Sequence, residues 1–225
     1  MLGVGKNYRL QKNSTNYYQL GQSSPDEAHL ATAIKYNDLA SGTVHSQIIN
    51  VDLVPCTFKL LDHRDDSIDQ IPDLLFGIED DYDVAIIDCP PTIDNLVIGA
   101  WKAADCIVTP VRLDSFDLNG IRYFESRLAH LDERAIDRWM VVVNFFSTIR
   151  KDAQNSLDLR CNELFKHSVP NLSHIRIPDS KSIPKAIHDG RTISRAKTKI
   201  RVYEAILCLA TDAVGEPIIP TEEQF

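Results

Sequence analysis

Residues 81–91 read Asp81-Tyr82-Asp83-Val84-Ala85-Ile86-Ile87-Asp88-Cys89-Pro90-Pro91. The short apolar run at 84–87 is typical of a strand that is buried on both faces of a parallel sheet. Because Asp88 follows this run directly, we expect its carboxylate at the carboxyl edge of the sheet, where ligands bind in open α/β folds. A carboxylate there can hold Mg²⁺, commonly through water, beside the phosphates of a nucleotide. The alternative interpretation is that Asp88 caps a helix or closes a turn.

The sequence on both sides of this run alternates between strand and helix patterns. Apolar or β-rich runs predict further strands at 48–54, 106–109 and 139–143, and helical spacing predicts helices at 67–76, 96–104, 119–131, 152–166 and 194–211. Strands separated by helix-length crossovers favour an α/β fold with a mostly parallel sheet flanked by helices. The residues after Gly215 include two prolines and adjacent glutamates, and we expect them to form a loose tail.

Length and composition exclude several classes of protein. A chain of 225 residues can bury a full core as one large domain or at most two. The five cysteines are scattered without a C-x-x-C spacing, which argues against a disulfide scaffold and a zinc site and favours a reducing cytoplasm. No apolar run approaches the roughly 20 residues that cross a bilayer, so we expect no membrane association.

Charge is distributed unevenly along the chain. The net charge is -8 overall, yet residues 138–201 alone carry a net charge of +8. This basic stretch is either a surface that binds a polyanion or a solvated helix face, and the sequence leaves both open. We expect His29 and His45 at the surface, and Cys89 as a small buried packing residue.

Several segments together resemble the ParA/Soj-type partition ATPases, which are deviant-Walker P-loop NTPases of the ParA/MinD class. The apolar run that ends in Asp88 and two prolines is similar to the Walker B segment of this family. The segments that carry the rest of the resemblance are 50–55, 103–111, 116–121, 175–187 and 196–205. The resemblance covers about residues 13–211 and implies a P-loop NTPase-like fold.

The resemblance also implies functional residues. Asp88 would be the Walker B acid that organises Mg²⁺, while Asn144 and Pro178 would lie against the adenine base of ATP. The non-specific DNA-binding surface of the family would fall on basic residues near the end of the chain, where DNA is bound through its phosphates. These residues are Lys181, Lys185, Arg191, Arg195, Lys197, Lys199 and Arg201.

The first residues resemble the end of a phosphate-binding loop. Gly5-Lys6 matches part of G-x-x-x-x-G-K-[ST], so Lys6 is a candidate nucleotide ligand, but Asn7 stands where Ser or Thr would reach magnesium. Arg9 and Leu10 stand where the family has an aspartate and a proline. We therefore expect the first strand or strands, the working P-loop and the catalytic acid to be missing, leaving the catalytic residues unknown. The expected organisation is a degenerate or truncated segment at 1–22, a ParA-like α/β domain at 23–214 and a tail at 215–225.

The function implied by the resemblance is plasmid or chromosome partition in the cytoplasm, in association with the nucleoid. ATP and Mg²⁺ would be the cofactors, and non-specific DNA, a ParB-like protein and a second copy of the chain would be the partners. We expect hydrolysis of ATP to be impaired. The alternatives are a nucleotide-independent DNA-binding or regulatory pseudo-ATPase and a MinD-like or amide-ligase relative. The acidic, proline-containing tail argues against a MinD-like membrane-targeting helix.

Overall fold

The computed structural model describes residues 28–46, 51–112, 115–131, 134–146, 163–169, 171–188 and 200–215. The chain divides into two compact units, residues 1–105 (unit 1) and residues 106–225 (unit 2). The expected organisation into 1–22, 23–214 and 215–225 stays a prediction.

Unit 1 contains short helices and a small antiparallel ladder. Its elements are α1 (Leu30–Tyr36), a 3₁₀ turn (Leu39–Gly42), β1 (Val44–His45), β2 (Asp52–Leu53), a 3₁₀ helix (Phe58–His63), α2 (Gln70–Phe76) and α3 (Asn95–Ala103). β1 pairs with β2 antiparallel, with Val44 opposite Leu53 and His45 opposite Asp52. The helices predicted at 67–76 and 96–104 are confirmed as α2 and α3. The strand predicted at 48–54 is present at β2, and residues 47–50 lie outside the described residues.

Helix α3 is set in place by its cap and by its packing. The Asp94 side chain caps its first turn by accepting a hydrogen bond from the backbone N–H of Val97 at 3.1 Å. Its apolar face joins a buried cluster with α1 and α2, formed by Ala33, Ile34, Ile71, Leu74, Leu96 and Ala100. Ile87 and Cys89 pack against this cluster and are themselves partly buried. The expected packing role of Cys89 is therefore confirmed, but the residue is only partly buried.

The prediction that residues 84–87 form a strand buried on both faces is wrong. The structure assigns no strand to these residues; Ala85 is exposed and the other three are only half-buried. An extended segment becomes a strand only where a neighbour satisfies its N–H and C=O groups. Within the described part of the chain, no strand pairs with 84–87. The apolar run alone could not show whether such a neighbour is present.

Unit 2 contains the parallel sheet that the sequence predicted. Its elements are β3 (Ile107–Val111), α4 (Ser115–Leu131), β4 (Trp139–Phe146), a helical segment at 163–168, β5 (Leu172–Pro178), α5 (Ser182–His188) and α6 (Ile200–Val214). The described strands run in the order β3-β4-β5, and both pairs are parallel. Ile107 lies opposite Trp139 and Val111 opposite Val143. Sheet and helices together confirm the α/β class.

The core of unit 2 surrounds β4. Val142 of β4 packs with Ile175 of β5 and Leu209 of α6. Val141 and Val143, which alternate with Val142 along the strand, are at most 1% exposed. β4 is therefore buried on both faces, as its continuous apolar sequence predicts. Across the described ranges, no helix is long and apolar enough to span a membrane.

Candidate functional site

The carboxyl ends of the three parallel strands meet at one edge of the unit 2 sheet. Arg112 follows β3, Asn144 and Phe145 lie near the end of β4, and Pro178 ends β5. We call these four residues the carboxyl edge. Pro178 lies opposite Phe146, whose carbonyl oxygen accepts a hydrogen bond from the backbone N–H of Asp179 at 3.1 Å. The structure therefore brings Asn144 and Pro178, two predicted nucleotide-binding residues, to the edge where parallel sheets bind ligands.

The backbone of β4 turns sharply at Phe145. This residue has a φ of 55°, in the left-handed region that bulky side chains rarely occupy. Its backbone N–H donates a 2.9 Å hydrogen bond to the Oδ1 atom of Asn144. The ring of Phe145 remains 52% exposed. The half-buried Asn144 thus uses its side-chain oxygen to hold a strained turn that presents an aromatic ring at the carboxyl edge.

Arg112 covers this ring. Its guanidinium carbon lies 4.6 Å from the centroid of the Phe145 ring, within the range of a cation–π contact. The backbone N–H of Arg112 donates to the carboxylate of Asp117, in the first turn of α4. Neither Arg112 nor Phe145 was predicted as a site residue from the sequence. Their partnership depends on the register of β3 and β4, which no motif in the sequence reports.

Asp88 lies in unit 1 and is exposed. The pKa of the exposed Cys56 thiol is raised, first by partial desolvation against its neighbours and then by the charge of Asp88. The pKa of Cys89 is raised to about 11, again by burial first, with Asp88 and Asp94 adding to the effect. Both thiols are therefore protonated at neutral pH.

The environment of Asp88 suits magnesium better than a soft metal. Mg²⁺ binds through one or two carboxylates and keeps several waters, which an exposed aspartate allows. Among the residues that the structure describes, no group of three or more His, Cys, Asp or Glu side chains could hold a metal ion. An Mg²⁺ ion at Asp88 would take its other ligands from water and from the phosphates of a nucleotide.

The predicted DNA-binding residues that the structure describes lie in unit 2. Lys181 precedes α5, Lys185 is on α5 and Arg201 is in the first turn of α6; all three are exposed. The Oγ atom of Ser180, 9% exposed, accepts a hydrogen bond from the backbone N–H of Ser182 at 3.2 Å and fixes the start of α5. Five predicted site residues lie outside the described residues, and their roles stay predictions: Lys6, Arg191, Arg195, Lys197 and Lys199.

Comparison with known families gives a match over more than half of the chain. The model of the AAA_31 family, described as an AAA domain, matches residues 8–139. The sporulation initiation inhibitor protein Soj of Bacillus subtilis is 25% identical over 176 residues, covering 74% of this chain and 68% of Soj. The chromosome-partitioning ATPase Soj of Treponema pallidum is 26% identical over 106 residues, 41% of this chain and 42% of that protein. The match to the Treponema protein thus spans less than half of its length.

Solved structures give the same fold. A McdA variant of Cyanothece in complex with ATP superposes with a TM-score of 0.76, covering 91% of this chain and 82% of that chain. The sequence identity is 17%, so the likeness concerns the fold.

Proposed function

The chain belongs to the ParA/Soj-type family of partition ATPases, and we propose that it acts in plasmid or chromosome partition by binding DNA without sequence preference. The observation that carries this proposal is the exposure of Lys181, Lys185 and Arg201 in unit 2, within a stretch of net charge +8. Basic side chains that neutralise DNA phosphates release counterions, and such contacts do not read the base sequence.

A salt titration of DNA binding tests this surface. We would measure the affinity of the chain for a random-sequence duplex between 50 and 200 mM salt, roughly the range over which such binding weakens steeply. The triple variant Lys181→Ala, Lys185→Ala, Arg201→Ala should bind DNA more weakly. The plot of log affinity against log salt concentration should also become less steep, by about 1 for each lost phosphate contact. Lys59→Ala, which removes an exposed lysine of unit 1, is the matched control. An unchanged affinity and slope in the triple variant would mean that these residues are only solvated.

The second part of the proposal is nucleotide binding. The carboxyl edge supports it, because Asn144 and Pro178 lie at the sheet edge that holds ligands in open α/β folds. The exposed carboxylate of Asp88 fits a water-mediated Mg²⁺ ion. When bound, Mg²⁺ would neutralise phosphate charge, and Asp88 would orient its water. Equilibrium binding of ATP, with and without Mg²⁺, measures this directly.

The third part is that the chain hydrolyses ATP little or not at all. Asn7 stands where the P-loop motif has the Ser or Thr that reaches magnesium, and Arg9 stands where the family has an acid. Phosphate release should therefore stay near background with Mg²⁺, DNA and a ParB-like partner all present. Robust magnesium-dependent release would refute this part and leave DNA binding untouched.

A second candidate function is nucleotide-independent DNA binding. The +8 stretch favours it, because a cationic surface needs no nucleotide to attract phosphate. The same DNA titration, repeated with and without ATP and Mg²⁺, separates the two functions. Tighter DNA binding in the presence of ATP, together with dimers that form only with ATP in analytical ultracentrifugation, supports the partition function. Equal affinity and an unchanged mass support a nucleotide-independent DNA-binding protein.

A further inference from the structure

We propose that Phe145 and Arg112 form a stacking platform for the purine base of the bound nucleotide and so determine the preference for a base-bearing ligand. This inference rests on the proposed nucleotide binding. Phe145 and Arg112 belong to none of the family motifs found in the sequence. The proposal is based on the geometry of these two residues at the ends of β3 and β4.

The backbone at Phe145 is strained. A bulky residue in the left-handed region is strained and persists only where its surroundings enforce that conformation. At Phe145 the surroundings include the side chain of Asn144, which accepts the N–H of the strained residue at 2.9 Å. Such strain clusters at ligand clamps and switch regions. The strained residue here lies at the carboxyl edge of a parallel sheet, where ligands bind.

The fold gains little from the Phe145 ring. Phe124 packs against the buried Trp139 with ring centroids 5.5 Å apart, which is an aromatic contact that serves the core. The Phe145 ring instead stays 52% exposed. Phe145 differs from the other exposed apolar side chains of the described residues in its positive φ, and strain of this kind clusters at ligand clamps.

The chemistry of the pair suits the stacking of a base. Bases stack on aromatic rings and on the planar guanidinium of Arg, and the Arg112 guanidinium already lies 4.6 Å from the ring centroid of Phe145. The guanidinium also carries N–H donors that match the acceptor atoms on the edge of a purine. The aromatic ring offers a purine base a face on which to stack, which phosphate alone cannot use, whereas the guanidinium beside it can serve both the base and phosphate.

The test compares ATP with inorganic triphosphate, which lacks the base, by equilibrium binding. Phe145→Gly removes the ring and relieves the positive φ, so a loss of binding cannot be assigned to new strain. Phe145→Trp keeps an aromatic face. Arg112→Lys keeps the positive charge but replaces the planar guanidinium with an ammonium group. Tyr123→Ala removes another exposed aromatic side chain from unit 2 and is the matched control.

We expect Phe145→Gly to weaken ATP binding about tenfold and to leave triphosphate binding unchanged. Phe145→Trp should bind ATP as the wild type does, Arg112→Lys should bind it several-fold more weakly, and Tyr123→Ala should show no change. Thermal melting of each variant verifies that it is folded.

Three outcomes overturn the platform. If Phe145→Gly binds ATP with wild-type affinity, the platform is refuted while the proposed nucleotide binding stands. The same conclusion follows if the wild type binds triphosphate as tightly as ATP. If the wild type binds no ATP at all, both the platform and the proposed nucleotide binding are refuted, and the DNA titration still tests the cationic surface.

Discussion

The carbonyl oxygen of Ile68 lies 2.6 Å from the position that a Cβ atom on Gly99 would occupy. Gly99 is inside α3, where glycine costs about 1 kcal/mol relative to alanine. The close approach to a backbone carbonyl gives the physical reason for glycine at this position, because the chain carrying Ile68 could not pass so near to a methyl group.

Gly99→Ala should therefore destabilise the protein. Either the helix or the segment at Ile68 must shift, and overpacking of this kind costs about 1–3 kcal/mol. Gly120→Ala is the matched control, because a Cβ atom there would have no neighbour within 4 Å and α4 would gain about 0.5–1 kcal/mol in helix propensity. Urea denaturation measures both free energies of unfolding. If the free energy of unfolding changes in the same direction in both variants, the described packing of α3 against Ile68 is contradicted.

His29→Ala should also destabilise unit 1. The His29 Nδ1 atom accepts the backbone N–H of Thr32 at 3.1 Å, and the residue is only 4% exposed. Loss of this N-cap should cost about 1 kcal/mol, and His29→Asn, which supplies a capping oxygen in place of the ring nitrogen, should recover part of it. His45→Ala, at a histidine whose side chain is 93% exposed, should change stability by less than about 0.5 kcal/mol. Equal losses for the two alanine variants would contradict the cap.

The two histidines show what the sequence could not resolve. Both were expected at the surface, and the structure confirms this for His45 but not for His29. Histidine is an unusual N-cap, so no capping signal marks residue 29. Its burial follows from contacts of α1, such as the hydrogen bond from the Leu30 N–H to the Pro55 carbonyl. That contact joins segments distant in sequence, and a local pattern does not contain it.

The parallel sheet was predictable where strands are continuously apolar. Ile107–Val111 and Trp139–Phe146 were both found from their sequences, with ends that shift by a few residues. Leu172–Pro178 was missed as a strand because Ser173, His174 and Arg176 break the apolar pattern. The run at 84–87 fails in the opposite way: it has the pattern of a buried strand but lacks a partner among the described residues. Sequence reports the apolar character of a segment but not its neighbours.

The candidate site was predictable only in part. The family resemblance pointed to Asn144 and Pro178, and the structure places both residues at the carboxyl edge. Phe145 and Arg112 were not found, because a positive φ and a contact between the ends of two strands are properties of the folded chain. Strained backbone of this kind is where local sequence rules are expected to fail.

Phe145→Gly should be more stable than Phe145→Ala. Both variants lose the ring and its contact with Arg112, so their difference isolates the backbone. In an ordinary strand glycine is less stable than alanine by about 0.5–1 kcal/mol. At a φ of 55° the order should reverse, with glycine more stable by about 1 kcal/mol. Urea denaturation of the two variants measures the difference, and the ordinary order would contradict the left-handed conformation.

Cys89 should react slowly with iodoacetamide until the pH approaches its pKa. A pKa of about 11, against an ordinary value of 9.0, leaves about a hundredfold less thiolate at pH 8. Because the negative charge of Asp88 contributes to the raised pKa of both Cys56 and Cys89, Asp88→Asn should lower both values and speed both reactions. Mass spectrometry follows each cysteine separately, with the exposed Cys208 of α6 as the internal control.

The same two thiols can report on magnesium without any measurement of ATP turnover. Mg²⁺ bound at Asp88 would offset the carboxylate charge that helps to keep the thiols protonated, so it should lower their pKa values as Asp88→Asn does. Millimolar MgCl₂ should therefore speed alkylation of Cys56 and Cys89 relative to Cys208, when compared with NaCl at equal ionic strength. Asp88→Asn should abolish this response because its side chain is neutral. If the response to MgCl₂ is the same in the wild type and the variant, Asp88 does not hold the ion.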